Sequence, residues 1–291
     1  MINKILKQIA VAALLFFSAG IVISSLLALV PDIYAQGNFI SRLSANLRIY
    51  MTFDYNRVQF GSFSIWDIVR NRSMLSLYII SVAVFLVLIV GIPLGYYSSR
   101  KKHSLIVQIL NKTVCSLSSI PILIWALLFN YVIFSFFRKS PSYDTIGSET
   151  VLWRYLFLIL PPVTVMLGDG ILADVIHRMK EETDTALNEE YITVLQAQGL
   201  SVIKHLFRAL LPAIGSIFSG KISYLIGGIV VIEYVYNWKG LGWGILNGIT
   251  RTGLKNYDFV LCASMFFVAV ILAVHLISEI ITILSDPRLR N

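Results

Sequence analysis

Four stretches of this sequence run for 20 residues or more without an Asp, Glu, Lys or Arg. There are 24 such residues between Lys7 and Asp32, 27 between Arg72 and Arg100, 25 over 113–137 and 20 over 259–278. A helix needs about 20 apolar residues to cross the ~30 Å hydrocarbon core of a bilayer, so each stretch reads as a membrane span. Two weaker candidates complete the pattern. Residues 155–168 give 14 uncharged positions before Asp169 and Asp174 intrude, and 209–237 is long enough but carries Lys221 and Glu233. The expected fold is an all-α polytopic membrane protein of six transmembrane helices. Composition excludes the alternatives: 57% hydrophobic and 14% charged residues are far from a soluble domain or a disordered chain, and two cysteines make no disulfide scaffold.

The first span follows Lys4 and Lys7 as a signal peptide would, but it exceeds the 7–15 residues or so of a signal core. We therefore read it as a retained helix with the N-terminus inside. Six spans then return the C-terminus to the cytoplasm and leave residues 98–112, 175–208 and 285–291 inside. Lysine and arginine are nearly balanced, 12 inside against 11 outside. The cluster Arg100, Lys101 and Lys102 at a helix end decides the orientation, because basic residues close to a span weigh most. Two units result: residues 1–73, a first helix plus an extracytoplasmic segment, and 74–291, a five-helix core with a cytoplasmic loop at about 175–208. The net charge of +8 shows no basic stripe, so it reads as topology and contact with anionic lipid, not nucleic-acid binding.

Nothing in the chain reads as a catalytic or metal site. His103, His177, His205 and His275 are scattered, with no His-Glu-x-x-His spacing and no Cys–His cluster. Residues 215–221 have the glycine and lysine spacing of a phosphate-binding loop, but Ile222 replaces the required Ser or Thr and the run lies inside a span. Residues 168–173 imitate a dinucleotide fingerprint without a preceding strand. The chain is thus expected to hydrolyse no ATP itself and to bind no cofactor.

Charges inside a membrane are costly, and they point to function. Lys221 and Glu233 are 12 residues apart, roughly 18 Å along a continuous helix, so they cannot pair directly. Lys221, near mid-span, is expected to face a polar passage. Glu233, near the outer end, either snorkels to the interface or hydrogen-bonds an outer loop. Gly91 with Gly95, and Gly227 with Gly228, read as close helix contacts.

The segment 190–200, Glu190-Tyr191-Ile192-Thr193-Val194-Leu195-Gln196-Ala197-Gln198-Gly199-Leu200, is followed by Leu211-Pro212. It resembles the EAA loop of ABC-importer permeases. Gly227-Gly228 leading to Glu233, then Gly240-Leu241-Gly242, and finally Asp286-Pro287-Arg288 with Arg290 are similar to signatures of the dipeptide/oligopeptide/nickel branch, as are Phe60-Gly61-Ser62 and Gly91 to Gly95. The likeness covers nearly the whole chain. Departures are Thr193, Val194 and Leu195 in place of the loop's glutamate and alanines, Gln196 and Gln198 where basic residues are common, and Lys239 for a proline. A Pro-Gly-Asp-Pro element is reduced to Pro31-Asp32.

The resemblance implies a type I ABC-importer permease fold in the inner (cytoplasmic) membrane. It implies one membrane subunit of an ATP-driven importer for short peptides, with nickel or metallophore import as the alternative within the branch. A gradient-driven secondary transporter is a more distant alternative, since no internal repeat is visible. The implied partners are a second homologous permease forming a heterodimer, two ABC ATPase subunits that use ATP and Mg, and an extracytoplasmic solute-binding protein, with residues 32–72 as its contact. Glu190, Tyr191, Ala197, Gly199, Leu200, Leu211 and Pro212 would form the ATPase coupling loop. Gly199 supplies a turn, Pro212 a stop before the next span, and Ile203, Leu206, Phe207 and Leu210 an apolar stripe against the membrane part. Lys221 would lie on the translocation path, and Glu233, Gly240 and Gly242 would anchor the outer loops.

Overall fold

The computed structural model describes residues 2–30, 38–52, 59–60, 63–138, 141–142, 151–198, 202–250 and 257–285. Among the described residues the chain is helical apart from turns and a short ribbon of two two-residue strands, β1 (Gln59–Phe60) paired antiparallel with β2 (Phe63–Ser64). Its helices are α1 (Ile2–Leu29), α2 (Phe39–Thr52), α3 (Ile65–Arg100), α4 (Leu105–Ser118), α5 (Ile122–Phe137) and α6 (Val151–Leu167). They continue with α7 (Ile171–Leu187), α8 (Glu190–Ala197), α9 (Val202–Val235), α10 (Leu241–Thr250) and α11 (Tyr257–Ser285). Among the described residues five helices are long and apolar enough to cross a membrane, and the bent pair α4 and α5 raises this to six.

The uncharged run 113–137, expected as one span, is broken. α4 and α5 meet at 92° across Ser119–Pro121. Pro121 stands at the N-cap of α5 with extended ψ, and with no N–H of its own it cannot continue α4. The first free N–H of α5, Ile122, instead donates to Oδ1 of Asp169, 3.0 Å away.

Asp169 occupies a tight turn, Gly168–Gly170, where Asp169 (φ 54°) and Gly170 (φ 74°) are both left-handed. The fourth span therefore does not end at Gly168. It bends there and continues as α7 to Leu187, so that Arg154–Leu187 is a single membrane candidate of 34 residues. That length, roughly 51 Å, exceeds the hydrocarbon core by several turns. The stretch from residue 175, expected as a cytoplasmic loop, is instead helical and buries Val175, Ile176, Met179 and Thr183. Their partner is α3. A Cβ at Gly91 would lie 2.8 Å from Val175 Cγ1, and one at Gly95 would lie 2.5 Å from Met179 Cβ and 2.9 Å from the Ile176 carbonyl. These two glycines are the close helix contact expected of them. In the other pair only Gly228 is crowded, by Ile122, while Gly227 faces open space.

α3 begins at Ile65 because Ser64 accepts the Trp66 N–H as its cap, 3.3 Å away, with Asp67 in the favourable first turn. The division expected at residues 73 and 74 thus falls within a helix. Between α1 and α3, α2 folds back along α1. Arg42 donates to the Val30 carbonyl (2.9 Å), Asn46 to Ser24 (3.3 Å), and the Tyr50 hydroxyl to Phe16, its ring lying over Gly20. The rest of α1 exposes Leu14, Val22 and Leu26, as a lipid-facing helix does. The buried core joins α3, α7, α9 and α11.

Candidate coupling and translocation site

Glu233 lies three residues inside the end of α9, where the helix stops for a local reason. Asn237 is left-handed (φ 51°), the Trp238 N–H returns to the Glu233 carbonyl at 2.8 Å, and the Asn237 N–H returns to Tyr234 at 3.2 Å. This is a Schellman ending, with Asn in the position glycine usually takes. The reversal folds α10 over the Glu233 side chain, which is fully buried and does not snorkel. Oε1 accepts from Ser76 Oγ at 2.5 Å and Oε2 from the Trp243 N–H at 3.0 Å. Ser76 Oγ in turn accepts the Leu241 N–H at 2.9 Å.

Gly240 and Gly242 are glycines because nothing larger fits. A Cβ at 240 would overlap the Glu233 carboxylate, and one at 242 would lie 2.6 Å from Val230 Cα. Arg72 holds its guanidinium over the Trp243 ring (5.1 Å) and the Phe259 ring (5.4 Å). Trp238, also buried, donates to the Pro141 carbonyl at 3.1 Å and stacks on Tyr78.

Lys221, about two turns before Gly228 on α9, forms an ion pair with Asp174 of α7. Its ammonium also sits 5.1 Å from the Tyr224 ring centre. The lysine side chain is only 16% exposed while the aspartate is 51% exposed, so the pair presents its anionic side outward. Around it α9 exposes Ser216, Gly220, Ser223 and Gly227, spaced as one helical face. A small and polar face at membrane depth is unlike the Leu- and Phe-rich faces of α1 and α5. Lys221 and Glu233 have separate partners, as their spacing required.

At the opposite end from Glu233, Asp184 of α7 accepts from Ser99 and pairs with Lys102 at 3.0 Å. This ties the Arg100–Ser104 turn to α7 immediately before the short helix α8. Ile192 anchors α8 with no exposure, while Glu190, Val194 and Ala197 recur on one exposed face. Gly199, Leu200, the side chain of Tyr191 and the terminal Asp286, Arg288 and Arg290 lie outside the described residues. Leu211 and Pro212 do not end a loop. α9 runs unbroken through Pro212 from Val202, since a proline inside a membrane helix removes one hydrogen bond that neighbouring helices tolerate. Of the expected apolar stripe, Leu206 and Leu210 are buried; the side chains of Ile203 and Phe207 are not described.

Sequence reasoning missed Asp174, Ser76, Arg72 and Asp184 as partners. One signal was available: a lone basic residue in a span needs an acid from another span, and Asp174 was the acid with no span of its own.

Comparison with known proteins places these elements. The family model "Binding-protein-dependent transport system inner membrane component" matches residues 91–291. The oligopeptide transport system permease protein AppB of Bacillus subtilis is 26% identical over 231 residues, covering 77% of this chain and 71% of the relative. The metal-staphylopine import system permease protein CntB of Staphylococcus aureus is 30% identical over 213 residues (71% and 63%). The dipeptide transport system permease protein DppB of Escherichia coli is 22% identical over 260 residues (78% and 74%). Since the match takes in the end of α3 and all of α4 to α11, this multi-pass membrane chain belongs to the family of binding-protein-dependent transport system inner membrane components.

Proposed function

We propose that the chain is one permease subunit of an ATP-driven importer for short peptides, working with a second homologous permease, two ATPase subunits that hydrolyse ATP with Mg, and an extracytoplasmic solute-binding protein. One observation carries the coupling half of this reading. Between α7 and α9 sits an eight-residue helix, α8, held by one buried residue and showing Glu190, Val194 and Ala197 on a single open face. A short rigid helix of this kind suits docking into a partner that moves. Tyr191, Gly199 and Leu200 belong to the same proposed joint, with Leu211 and Pro212 acting further along α9. The double variant Ala197→Asp with Gly199→Pro should abolish uptake and co-purification of the ATPase while the permease stays in the membrane. Retention of both would overturn the assignment.

The translocation half rests on Lys221 and Asp174, set in the small polar face of α9. Facing a second permease, this face would border a passage in which the ammonium meets a peptide carboxylate and the carboxylate meets a peptide amine. Glu233, Gly240 and Gly242 anchor the outer turn above it, and the outer segment 32–72 contacts the binding protein. The oligopeptide and dipeptide permeases among the relatives support peptides as substrate. A second reading, import of a metal-bound metallophore, is favoured by the 30% identity to a metal-staphylopine permease. Metallophores that carry carboxylates and amines would use the same pair. Stimulation of ATPase activity in the reconstituted complex separates the two: a peptide-loaded binding protein should stimulate it, and stimulation by a metallophore alone would replace peptides as the substrate.

A further inference from the structure

α3 and α4 diverge from the turn at residues 101–104 and leave between them a groove of ≈ 220 Å³. Leu94 and Tyr97 of α3 and Val107 and Leu110 of α4 form its walls, and Lys101 and Ser104 stand at its polar end. From Lys101 to Leu94 the groove extends roughly 10 Å along α3. It is smaller than the ~300–1,000 Å³ sites that enclose a drug-sized ligand, so it seats a segment of a longer molecule. Its surroundings are apolar and open: Leu105, Ile106 and Ile109 are 74%, 70% and 63% exposed, and Tyr97 is 51% exposed. Ser98 and Asn111, also in the lining, satisfy each other at 2.9–3.0 Å.

The cations of the turn are divided in their tasks. Lys102 is held by Asp184, and Arg100 lies over the Tyr96 ring at 5.9 Å. Among the described residues Lys101 meets no carboxylate, and the Ser104 hydroxyl makes no cap bond to its own helix. A cation and a free hydroxyl thus close one end of an apolar channel at the cytoplasmic end of a span, flanked by a tyrosine at interface depth.

We propose that this groove is a binding site for one anionic phospholipid of the cytoplasmic leaflet. The phosphate pairs with Lys101 and Ser104, and an acyl chain lies along Leu94, Val107 and Leu110. Charge complementarity selects the occupant: a zwitterionic lipid offers the same chain but brings its own cation to Lys101. The bound lipid would brace the same turn that Lys102 and Asp184 attach to α7.

The test is lipid retention by the assembled transporter, purified in mild detergent, exchanged with phosphatidylglycerol or phosphatidylcholine and read by native mass spectrometry. Wild type should retain phosphatidylglycerol in preference to phosphatidylcholine. Lys101→Gln should lower that retention about five-fold, the effect of one basic residue at an anionic surface, whereas Lys112→Gln, next to Asn111 but outside the lining, should not. Leu110→Trp, which fills the channel and leaves the cation, should lower it as well, so the proposal does not depend on one variant folding. Equal retention of both lipids, insensitivity to both groove variants, or equal competition by soluble glycerol phosphate would overturn it. So would disulfide capture of Ile106→Cys by the second permease, which would mean that protein covers the groove.

Discussion

Replacing Glu233 by Gln keeps the size of the side chain and removes one acceptor from a closed hydrogen-bond set. In the native arrangement the carboxylate accepts from Ser76 and from the Trp243 N–H, and Ser76 accepts from Leu241. If the new amide nitrogen faces Ser76, the serine hydroxyl is offered two donors and loses the acceptor for its own proton. If it faces Trp243, two N–H groups oppose each other. Either placement leaves one buried donor unpaired, at a cost of about 1–3 kcal/mol. For chains of a few hundred residues, roughly 2–4 °C per kcal/mol converts this to a fall in Tm of roughly 2–12 °C.

Glu233→Ala goes further. It leaves both the Ser76 hydroxyl and the Trp243 N–H without their acceptor, a loss of roughly 2–6 kcal/mol at about 1–3 kcal/mol for each buried donor. Thermal unfolding of the assembled transporter in lipid nanodiscs, followed by tryptophan fluorescence, is a direct readout, since Trp243 donates to the carboxylate and Trp238 follows it by five residues. The expected order of stability is wild type, Gln, Ala. A Gln variant within about 1 °C of wild type, with normal uptake, would show that the network carries no weight and refute the anchoring role of Glu233.

Lys221→Met should cut uptake several-fold, and Asp174→Asn in the same chain should restore stability but not transport; normal uptake kinetics in Lys221→Met would remove the lysine from the pathway. Asp169→Ala keeps the β-carbon that the native residue already holds at positive φ and loses only the cap on α5, costing about 0.5–2 kcal/mol, whereas Asp169→Gly loses the same cap but relieves about 1–2 kcal/mol of left-handed strain; equal melting temperatures for the two variants would refute the separation of cap from strain.

The spans were legible because the absence of charge is a local property. Direction is not local, and that is where the reading of the sequence fell short. Residues 113–137 look like one crossing, yet the acceptor that lets α5 start afresh at Ile122 comes from Asp169, 47 positions away. The same separation, 47 positions, hides Asp174 from Lys221, and Ser76 is 157 positions from Glu233. Gly240 and Gly242, by contrast, were visible from their pattern, and the overlap a Cβ would meet at each supplies the reason for it. Pro212 was misjudged for a different cause. Proline ends helices in water, where freed carbonyls find solvent, but at membrane depth leaving the helix would expose more backbone than it saves.

The turn at Gly168–Gly170 makes α5, α6 and α7 parts of one linkage. Two left-handed residues kink the α6–α7 axis, and the side chain of the middle residue of the turn is the acceptor on which α5 begins. A rotation of α7 about this turn therefore either drags the start of α5 with it or strands the Ile122 N–H in a dry interior. The resistance of that one polar group makes the turn a crank with a stop. Displacement of the α7 end, about 25 Å away beside α8, would reach the head of α5 as rotation about that turn.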